Sequence, residues 1–344
     1  MKDLEFLKKL TDLPGGSGDE GDVRRALKEE IQKVCPVETD AFGNVYGKIG
    51  TGPKVLAVGH MDEVGFMVRG IRTDGMIQVG MVGFVFSYGM LCQLYSVCTA
   101  KGIIDGVIAL NPNQKNGGIK NEYPTVEELL LDIGCKTKEE ACGLGVEVGN
   151  AVIAKSHFTV LQNRELLAKA WDNRIGCAIS VRVMQTLNKD ALKVTFIGGG
   201  SVQEEVGCRG ARAMGIHLCP DIAFSLDTSP AGDEDGTIVG KGPQLFVMDS
   251  STIPNKKLLE FVKATARKYN IPYQLCFLRR GGSDTSEFQN ISGGTPSLAI
   301  GIPVKYIHTP TSVISYSDYE NAVKLMCLVV EELDDKKILE FKTF

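Results

Sequence analysis

Apolar residues recur along this chain with two different spacings, which together predict alternating helices and strands. Near the N terminus, Leu4, Leu7 and Leu10 predict the buried face of an amphipathic helix, and a second helix of this kind follows it. Uninterrupted apolar runs predict buried strands, and a capping box of Ser317 and Glu320 predicts the start of a C-terminal helix. The main strands are predicted at 54–59, 193–197 and 221–226, and the longer helices at 173–187 and 255–269. This order is typical of an α/β fold.

The middle of the chain has a different pattern, which predicts a small all-β domain. From 66 to 161 glycines are frequent and the apolar runs are short and β-branched, as in a small barrel. Within it, the pair Thr137 and Glu140 predicts one short helix, and a polar, glycine-rich stretch at 111–124 predicts a mobile loop. We therefore expect one domain formed by 1–65 and 162–344, interrupted by a β-rich insert at 66–161.

Composition excludes several classes of partner. The chain has 344 residues, of which 43% are hydrophobic and 23% charged, as in ordinary globular proteins. Its net charge is -4 and its basic residues are dispersed, so we expect no nucleic-acid partner. No uncharged apolar run approaches ~20 residues, so we expect no membrane partner. The ten cysteines form no C-x-x-C pair, which favours free thiols and a cytoplasmic location.

Polar residues with metal-binding or acid-base chemistry follow several predicted strands or begin helices. They are His60, Asp62, Asp172, Glu204, Glu205, Asp227 and His308. Each has an ordinary explanation when taken alone: Asp172 could cap a helix, and Asp227 could begin a turn. Their joint occurrence where α/β sheets hold ligands favours a functional site. The adjacent pair Glu204 and Glu205 further suggests that one carboxylate binds metal while the other moves protons.

The donor types in this set favour a site for two divalent ions. Imidazole and carboxylate suit zinc, and also cobalt or manganese, and three acids with two histidines can give each ion a histidine, a terminal carboxylate and a shared carboxylate. A structural zinc site would instead be closed by four ligands, usually rich in cysteine. Of the four histidines, His157 lies in the insert and His217 ends an apolar helix with no acid positioned beside it, so both are interpreted as structural.

Several longer segments resemble the tetrahedral (TET) type of metallo-aminopeptidases, which includes glutamyl and deblocking aminopeptidases and proteins labelled cellulase M. The resemblance covers essentially the whole chain. It rests on segments 59–66, 172–174, 202–207, 281–284 and 306–308, and on Asp227 with 231–233. Three positions depart from the usual family pattern: Ser283, the pair at 304–305, and the glycines at 198–200, which would loosen the approach to Glu204.

The resemblance implies a role for each residue of the set. His60 and Asp227 would bind one ion, Glu205 and His308 the other, and Asp172 would bridge them. Glu204 would be the general base and Asp62 would orient His60. The Asp172–Asn173 peptide bond is expected to be cis.

The resemblance also implies an architecture and an assembly. It implies a mixed-sheet α/β/α metallopeptidase domain whose barrel-like insert makes dimer contacts within a tetrahedral dodecamer. Apolar insert residues such as Phe84, Val85 and Phe86 would accordingly be exposed in a monomer.

These observations predict an aminopeptidase that removes the N-terminal residue of short peptides, with a metal-bound water as nucleophile. Deacylation of small amides is an alternative. A glycoside hydrolase fits less well, because its two carboxyls need no histidines and this chain has a single tryptophan. A non-catalytic binding protein would be expected to have lost the base or a ligand. The preferred residue stays open: Arg279, Arg280 and Lys305 could bind an acidic side chain or be solvated.

Overall fold

The structure, a computed structural model, describes residues 2–110, 124–232 and 236–343. The loop predicted at 111–124 lies, except for Pro124, outside these residues, as does Asp233. The helices are α1 (Lys2–Asp12), α2 (Gly21–Ile31), α3 (Ser87–Met90), α4 (Lys138–Gly143), α5 (Trp171–Thr186), α6 (Arg209–Leu218), α7 (Lys256–Lys268), α8 (Thr285–Phe288), α9 (Tyr316–Glu331) and α10 (Asp335–Lys342). The strands are β1 (Val37–Thr39), β2 (Val45–Gly50), β3 (Lys54–His60), β4 (Gly65–Ile71), β5 (Ile77–Val82), β6 (Leu94–Thr99), β7 (Gly102–Leu110), β8 (Leu129–Asp132), β9 (Ala151–Ala154), β10 (Thr159–Val160), β11 (Glu165–Ala168), β12 (Thr195–Ser201), β13 (Ile222–Pro230), β14 (Gln244–Met248), β15 (Gln274–Phe277), β16 (Ser297–Val304) and β17 (Ser312–Ser315).

The main domain is built on a mixed eight-stranded sheet, whose strands have the order β1-β2-β12-β3-β13-β16-β14-β15. Its central strands β12, β3, β13 and β16 are parallel, whereas β2 and β14 run antiparallel to their inner neighbours. The predicted mixed-sheet α/β class is confirmed.

Helices cover both faces of this sheet, and successive residues of β3 show how. Val55 and Ala57 pack into the core that contains α5, whereas Leu56 and Val58 pack into a second core with α6 and α8. Because side chains alternate across a strand, a strand buried on both faces must be apolar at nearly every position. That is why the run from 55 to 58 in this strand is uninterrupted apolar sequence.

Strand register sets the position of the polar residues. In the parallel pairing of β12 with β3, Ser201 lies opposite His60, and in that of β13 with β3, Ser225 lies opposite Val58. The carboxyl ends of the three strands therefore meet at one edge. Asp227 lies within β13, not at a strand end as predicted, because β13 continues alongside β16 to Pro230.

The glycines at 198–200 lie inside β12 and are buried, so the prediction that they loosen the approach to Glu204 is wrong. A Cβ on Gly199 would lie 1.9 Å from the carbonyl oxygen of Val45, and one on Gly200 would lie 2.7 Å from Cγ of Met61. These glycines therefore allow the neighbouring strands and the segment after β3 to approach closely.

The middle of the chain forms a closed barrel in the order β4-β5-β8-β7-β6-β9, with a hydrophobic core of its own. The predicted cap of α4 is confirmed, because Oγ1 of Thr137 accepts a hydrogen bond from the backbone of Glu140. Phe84 is exposed as expected, but Phe86 is half-buried and Val85 is buried in the barrel core. The expectation for Val85 is therefore wrong. A small sheet, β10-β11-β17, lies outside the barrel.

The starts of two helices differ from the prediction. Oγ of Ser315, not a capping box of Ser317, accepts the backbone hydrogen bond at the start of α9. Helix α5 begins at Trp171, with Asp172 and Asn173 in non-helical conformations. Helix α10 was not predicted.

Two general features bear on the environment of the protein. None of the ten cysteines forms a disulfide in the structure. Among the described residues, no helix has both the length and the apolar character needed to cross a membrane.

Candidate metal centre

All seven predicted residues come together where the parallel strands of the large sheet end. His60 ends β3 and Asp62 follows it; Glu204 and Glu205 follow β12; Asp227 lies in β13; Asp172 lies in the first turn of α5; and His308 follows β16. Their proximity follows from the parallel register rather than from nearness in sequence, since α5 and β16 are far apart in the chain. His157 is exposed and His217 packs near the ring of Tyr46, so neither joins the cluster.

Asp172 lies between the two histidines. One of its carboxylate oxygens is 3.1 Å from Nε2 of His60, and the other is 3.1 Å from Nε2 of His308. Burial would raise the pKa of Asp172, but the hydrogen bonds and charges of the histidines hold it below its usual value. The Asp172–Asn173 peptide is cis, as predicted.

Two groups of three residues share Asp172, and each brings ligand atoms within 4.8 Å of one another. The first is His60, Asp172 and Asp227, and the second is Asp172, Glu205 and His308. Oδ1 of Asp227 lies 3.9 Å from Nε2 of His60, and Oε1 of Glu205 lies 3.8 Å from Nε2 of His308. Each group therefore combines one histidine with one terminal carboxylate.

Glu204 occupies the space beside the first group. Its Oε2 lies 3.7 Å from Nε2 of His60, slightly closer than Asp227 does. Its other oxygen accepts a hydrogen bond of 3.3 Å from the thiol of Cys208. Distance to His60 alone therefore does not separate a base from a ligand.

Asp62 connects the histidine to the pair of glutamates. Its Oδ1 lies 3.3 Å from Nδ1 of His60, and it accepts backbone hydrogen bonds from Glu204 at 3.0 Å and Glu205 at 3.2 Å. Ser17 donates a further hydrogen bond of 2.7 Å. Burial alone would raise the pKa of Asp62, but these contacts, with His60 foremost, lower it. The sequence predicted the contact with His60 and missed those with the glutamate backbone.

The acids of the cluster carry more negative charge than its histidines balance. Burial, reinforced by Asp172, raises the pKa of both Glu205 and Asp227 well above the usual range. Burial, opposed by His60 and reinforced by Asp284, raises the pKa of Glu204 to about 8. A buried carboxylate needs a cation beside it to remain ionised.

The donor set fits metal ions. Oε1 of Glu205 is buried and has no hydrogen-bond partner in the described part of the chain. It belongs to the group with Asp172 and His308, whose imidazole and carboxylate donors suit zinc, cobalt or manganese. A cation bound among these donors would satisfy this unpartnered buried oxygen.

Sequence reasoning missed the role of one further buried carboxyl. Asp284, within a segment that carried the family resemblance, accepts a hydrogen bond of 2.5 Å from Ser201 and forms a group with Glu204 and Cys208. Burial raises its pKa to about 6. The sequence pointed to Asp284 only through its place in that segment. A place in a segment does not show which side chains Asp284 contacts.

Comparison with known proteins extends the likeness to the whole chain. The family model for M42 glutamyl aminopeptidases matches residues 43–325. A glutamyl aminopeptidase of Lactococcus lactis is 30% identical over 100% of both chains. The structure of a TET aminopeptidase from a marine sediment Thaumarchaeota archaeon has a TM-score of 0.95 at 34% identity, covering 99% of each chain.

A second similar solved structure is that of a peptidase that forms large assemblies. The TET1 peptidase of Pyrococcus horikoshii, which can assemble into a tetrahedron or a large octahedral shell, has a TM-score of 0.88 at 32% identity, over 96% of this chain and 100% of that one. Because the family model covers well over half of the chain and the relatives span nearly all of it, the chain belongs to the M42 glutamyl aminopeptidase family, and its predicted activity as a metallo-aminopeptidase that hydrolyses N-terminal peptide bonds is confirmed.

Proposed function

We propose that this aminopeptidase works with two divalent ions, most readily zinc, with cobalt or manganese as alternatives. His60 and Asp227 would hold one ion, Glu205 and His308 the other, and Asp172 would be shared. The observation that carries this proposal is that the two oxygens of Asp172 face different histidines, each at 3.1 Å. When bound, the ions supply Lewis-acid chemistry that activates water and polarises the scissile carbonyl.

Glu204 is the general base in this proposal. Its Oε2 lies 3.7 Å from Nε2 of His60, beside the first group of proposed ligands, where it can take a proton from the attacking water and return it to the leaving amine. Its backbone N–H and that of Glu205 are both held by Asp62, which also faces His60. Asp62 would thereby orient a ligand and the base together.

The substrates we propose are short peptides with a free N terminus. A free α-amino group can bind a metal or pair with one of the cluster's acids, which would confine cleavage to the first peptide bond. Glycoside hydrolysis is disfavoured, because Trp171 is 0% exposed and cannot stack on a sugar. Deacylation of small amides uses the same machinery, and a substrate panel separates it from peptide hydrolysis.

We further propose that the barrel, as the insert 66–161 between catalytic parts 1–65 and 162–344, makes contacts between subunits. Met67, Met81, Leu94 and Ile103 are exposed on it, and apolar side chains of this size are typically covered by a partner. Dimers joined in this way into a tetrahedral dodecamer would restrict access to small peptides. The free cysteines support a cytoplasmic location.

One experiment tests the proposed chemistry. The protein is stripped of metal and reconstituted separately with zinc, cobalt and manganese, and kcat/KM is measured for aminoacyl substrates, N-acetylated peptides and small acetamides. We expect activity only after reconstitution, at two ions per chain, and only on substrates with a free N terminus. Full activity at one equivalent of metal would overturn the two-ion proposal, and a preference for acetamides would favour the deacylase.

A further inference from the structure

Three aromatic residues, exposed at both ends and half-buried in the middle, form a row of packed rings that begins beside His308. We call Phe84, Phe86 and Tyr88 the aromatic ridge. The rings of Phe84 and Phe86 pack edge to face with centroids 5.0 Å apart, and those of Phe86 and Tyr88 lie 5.5 Å apart. Phe84 is 56% exposed and Tyr88 is 51% exposed, so the two ends of the ridge present apolar surface.

Neighbours of the ridge in the sequence are packed in the core of the barrel. Val85 and Met90 are buried in the barrel core, so the segment between β5 and β6 is anchored on its inner side. Phe84 and Phe86 flank the buried Val85, and Tyr88 lies in α3 together with the buried Met90. Each aromatic residue is therefore close in sequence to a side chain that is packed in the barrel core.

The ridge lies against the second group of proposed metal ligands. The ring of Phe84 is 6.3 Å from that of His308. A Cβ built on Gly83, which has a φ of +71°, would lie 3.2 Å from Cβ of Glu205. The chain thus passes close to Glu205 immediately before Phe84, so the exposed Phe84 ring lies beside this half of the centre.

One basic side chain close to His308 in the sequence is already paired within the chain. Lys305, which could have bound an acidic side chain, forms an ion pair of 2.6 Å with Glu165. Tyr306 is exposed beside it and adds aromatic surface. Exposed aromatic surface therefore lies near this half of the centre, and the charge of Lys305 is already balanced by Glu165.

We infer that the aromatic ridge is a subsite for an apolar side chain within the first two residues of the peptide substrate. This inference rests on the proposed function, because it requires a peptide bound at the metal centre. Burial of an apolar side chain against Phe84 favours leucine or phenylalanine over glutamate or lysine, which would lose hydration without gaining a partner.

The test is a panel of peptides assayed with the metal-loaded enzyme and its Phe84→Ala variant. The peptides are Xaa-Ala-Ala and Ala-Xaa-Ala, with Xaa as Phe, Leu, Glu or Lys. In one of the two series, Phe84→Ala should lower kcat/KM for Phe and Leu by about 10-fold, while the Glu and Lys peptides change little. Phe84→Leu should retain most of the preference. Ile216→Ala, which removes a 61% exposed apolar side chain from α6, serves as the control and should change neither series.

Each other outcome has a defined meaning. Equal losses for all peptides, together with a smaller assembly by light scattering, would make the ridge a subunit contact and overturn the inference. Unchanged selectivity would also overturn it, and the aminopeptidase proposal would stand as long as the parent enzyme cleaves the panel. A fully loaded parent enzyme that cleaves none of these peptides would refute the proposed function itself.

Discussion

Two buried clusters of charged side chains lie next to each other in this protein, and they differ in how their charge is balanced. In one, Glu63 contacts Nζ of Lys169 at 2.5 Å and Arg174 at 2.9 Å. The two cations also donate hydrogen bonds to backbone carbonyls of 10, 13 and 15. In the other, five carboxylates surround two histidines. In the first, which we call the closed cluster, cations of the chain itself balance the carboxylate. In the second, the open cluster, bound metal ions would balance the carboxylates.

The clusters are built from neighbouring residues. Asp62 belongs to the metal centre and the adjacent Glu63 to the closed cluster, and Asp172 lies between Lys169 and Arg174 in the chain. The end of β3 and the start of α5 therefore supply residues to both clusters. A buried carboxylate is not by itself a sign of chemistry, because its partner decides whether it serves structure or function. Lys169 shows the cost of the closed arrangement, since burial lowers its pKa despite the pairing with Glu63.

The largest expected effect separates two roles inside the open cluster. Glu204→Gln should lower kcat by about 10²- to 10⁴-fold while metal content stays unchanged, because the base is lost and no ligand is removed. Glu205→Gln should instead weaken one metal site, and excess metal should restore part of its activity. Metal titration with steady-state kinetics on both variants checks this. Loss of metal from Glu204→Gln alone would reverse the two roles.

The next effect tests the closed cluster. Glu63→Gln leaves Lys169 and Arg174 buried without a carboxylate, so the free energy of unfolding should fall by about 3 to 5 kcal/mol. The loss should be similar with and without metal. Glu205→Gln in the metal-free protein should cause no such loss, since it removes a carboxylate that has no cation. Urea unfolding measures both, with the exposed Glu260→Gln as a control that should leave the midpoint unchanged. Equal losses for Glu63→Gln and Glu205→Gln would remove the distinction between the clusters.

Removal of metal acts on the open cluster alone. Each ion present at about 100 times its dissociation constant should add about 2.7 kcal/mol to the unfolding free energy, and chelation should remove this gain. Thermal unfolding of chelated and reloaded protein measures the shift. An unchanged midpoint, with metal loss verified by elemental analysis, would show that the acids are satisfied without ions.

The smallest effect concerns the residue that connects ligand and base. Asp62→Asn keeps the shape of the side chain and removes its charge, so metal affinity should fall by about 10- to 100-fold with the fold intact. Competition with a chromogenic chelator measures the affinity, and Ser17→Ala, which removes one hydrogen bond to Asp62, should have a weaker effect in the same direction. Wild-type affinity in Asp62→Asn would limit Asp62 to a structural role.

Much of the site could be predicted from the sequence because its residues follow recognisable elements. The apolar run at 55–58 marks a strand covered on both faces, and His60 and Asp62 follow it. Asp227 was found although β13 continues past it, since the carboxylate interrupts an apolar run. By contrast, Asp284 carried no pattern of its own. Its role depends on meeting Ser201, which lies 83 positions earlier.

The sequence by itself determined the elements, the α/β class and the residue types available for chemistry, because periodicity and donor type are local properties. Only the tertiary structure decided which side chains pair. Nothing local distinguishes Asp62 from Glu63, yet one faces His60 and the other Lys169. Likewise, Val85 and Phe84 are both apolar, but the barrel buries one and leaves the other beside His308. Partner choice is set by strand register and domain packing, which bring together residues more than a hundred positions apart, and no local pattern records those contacts.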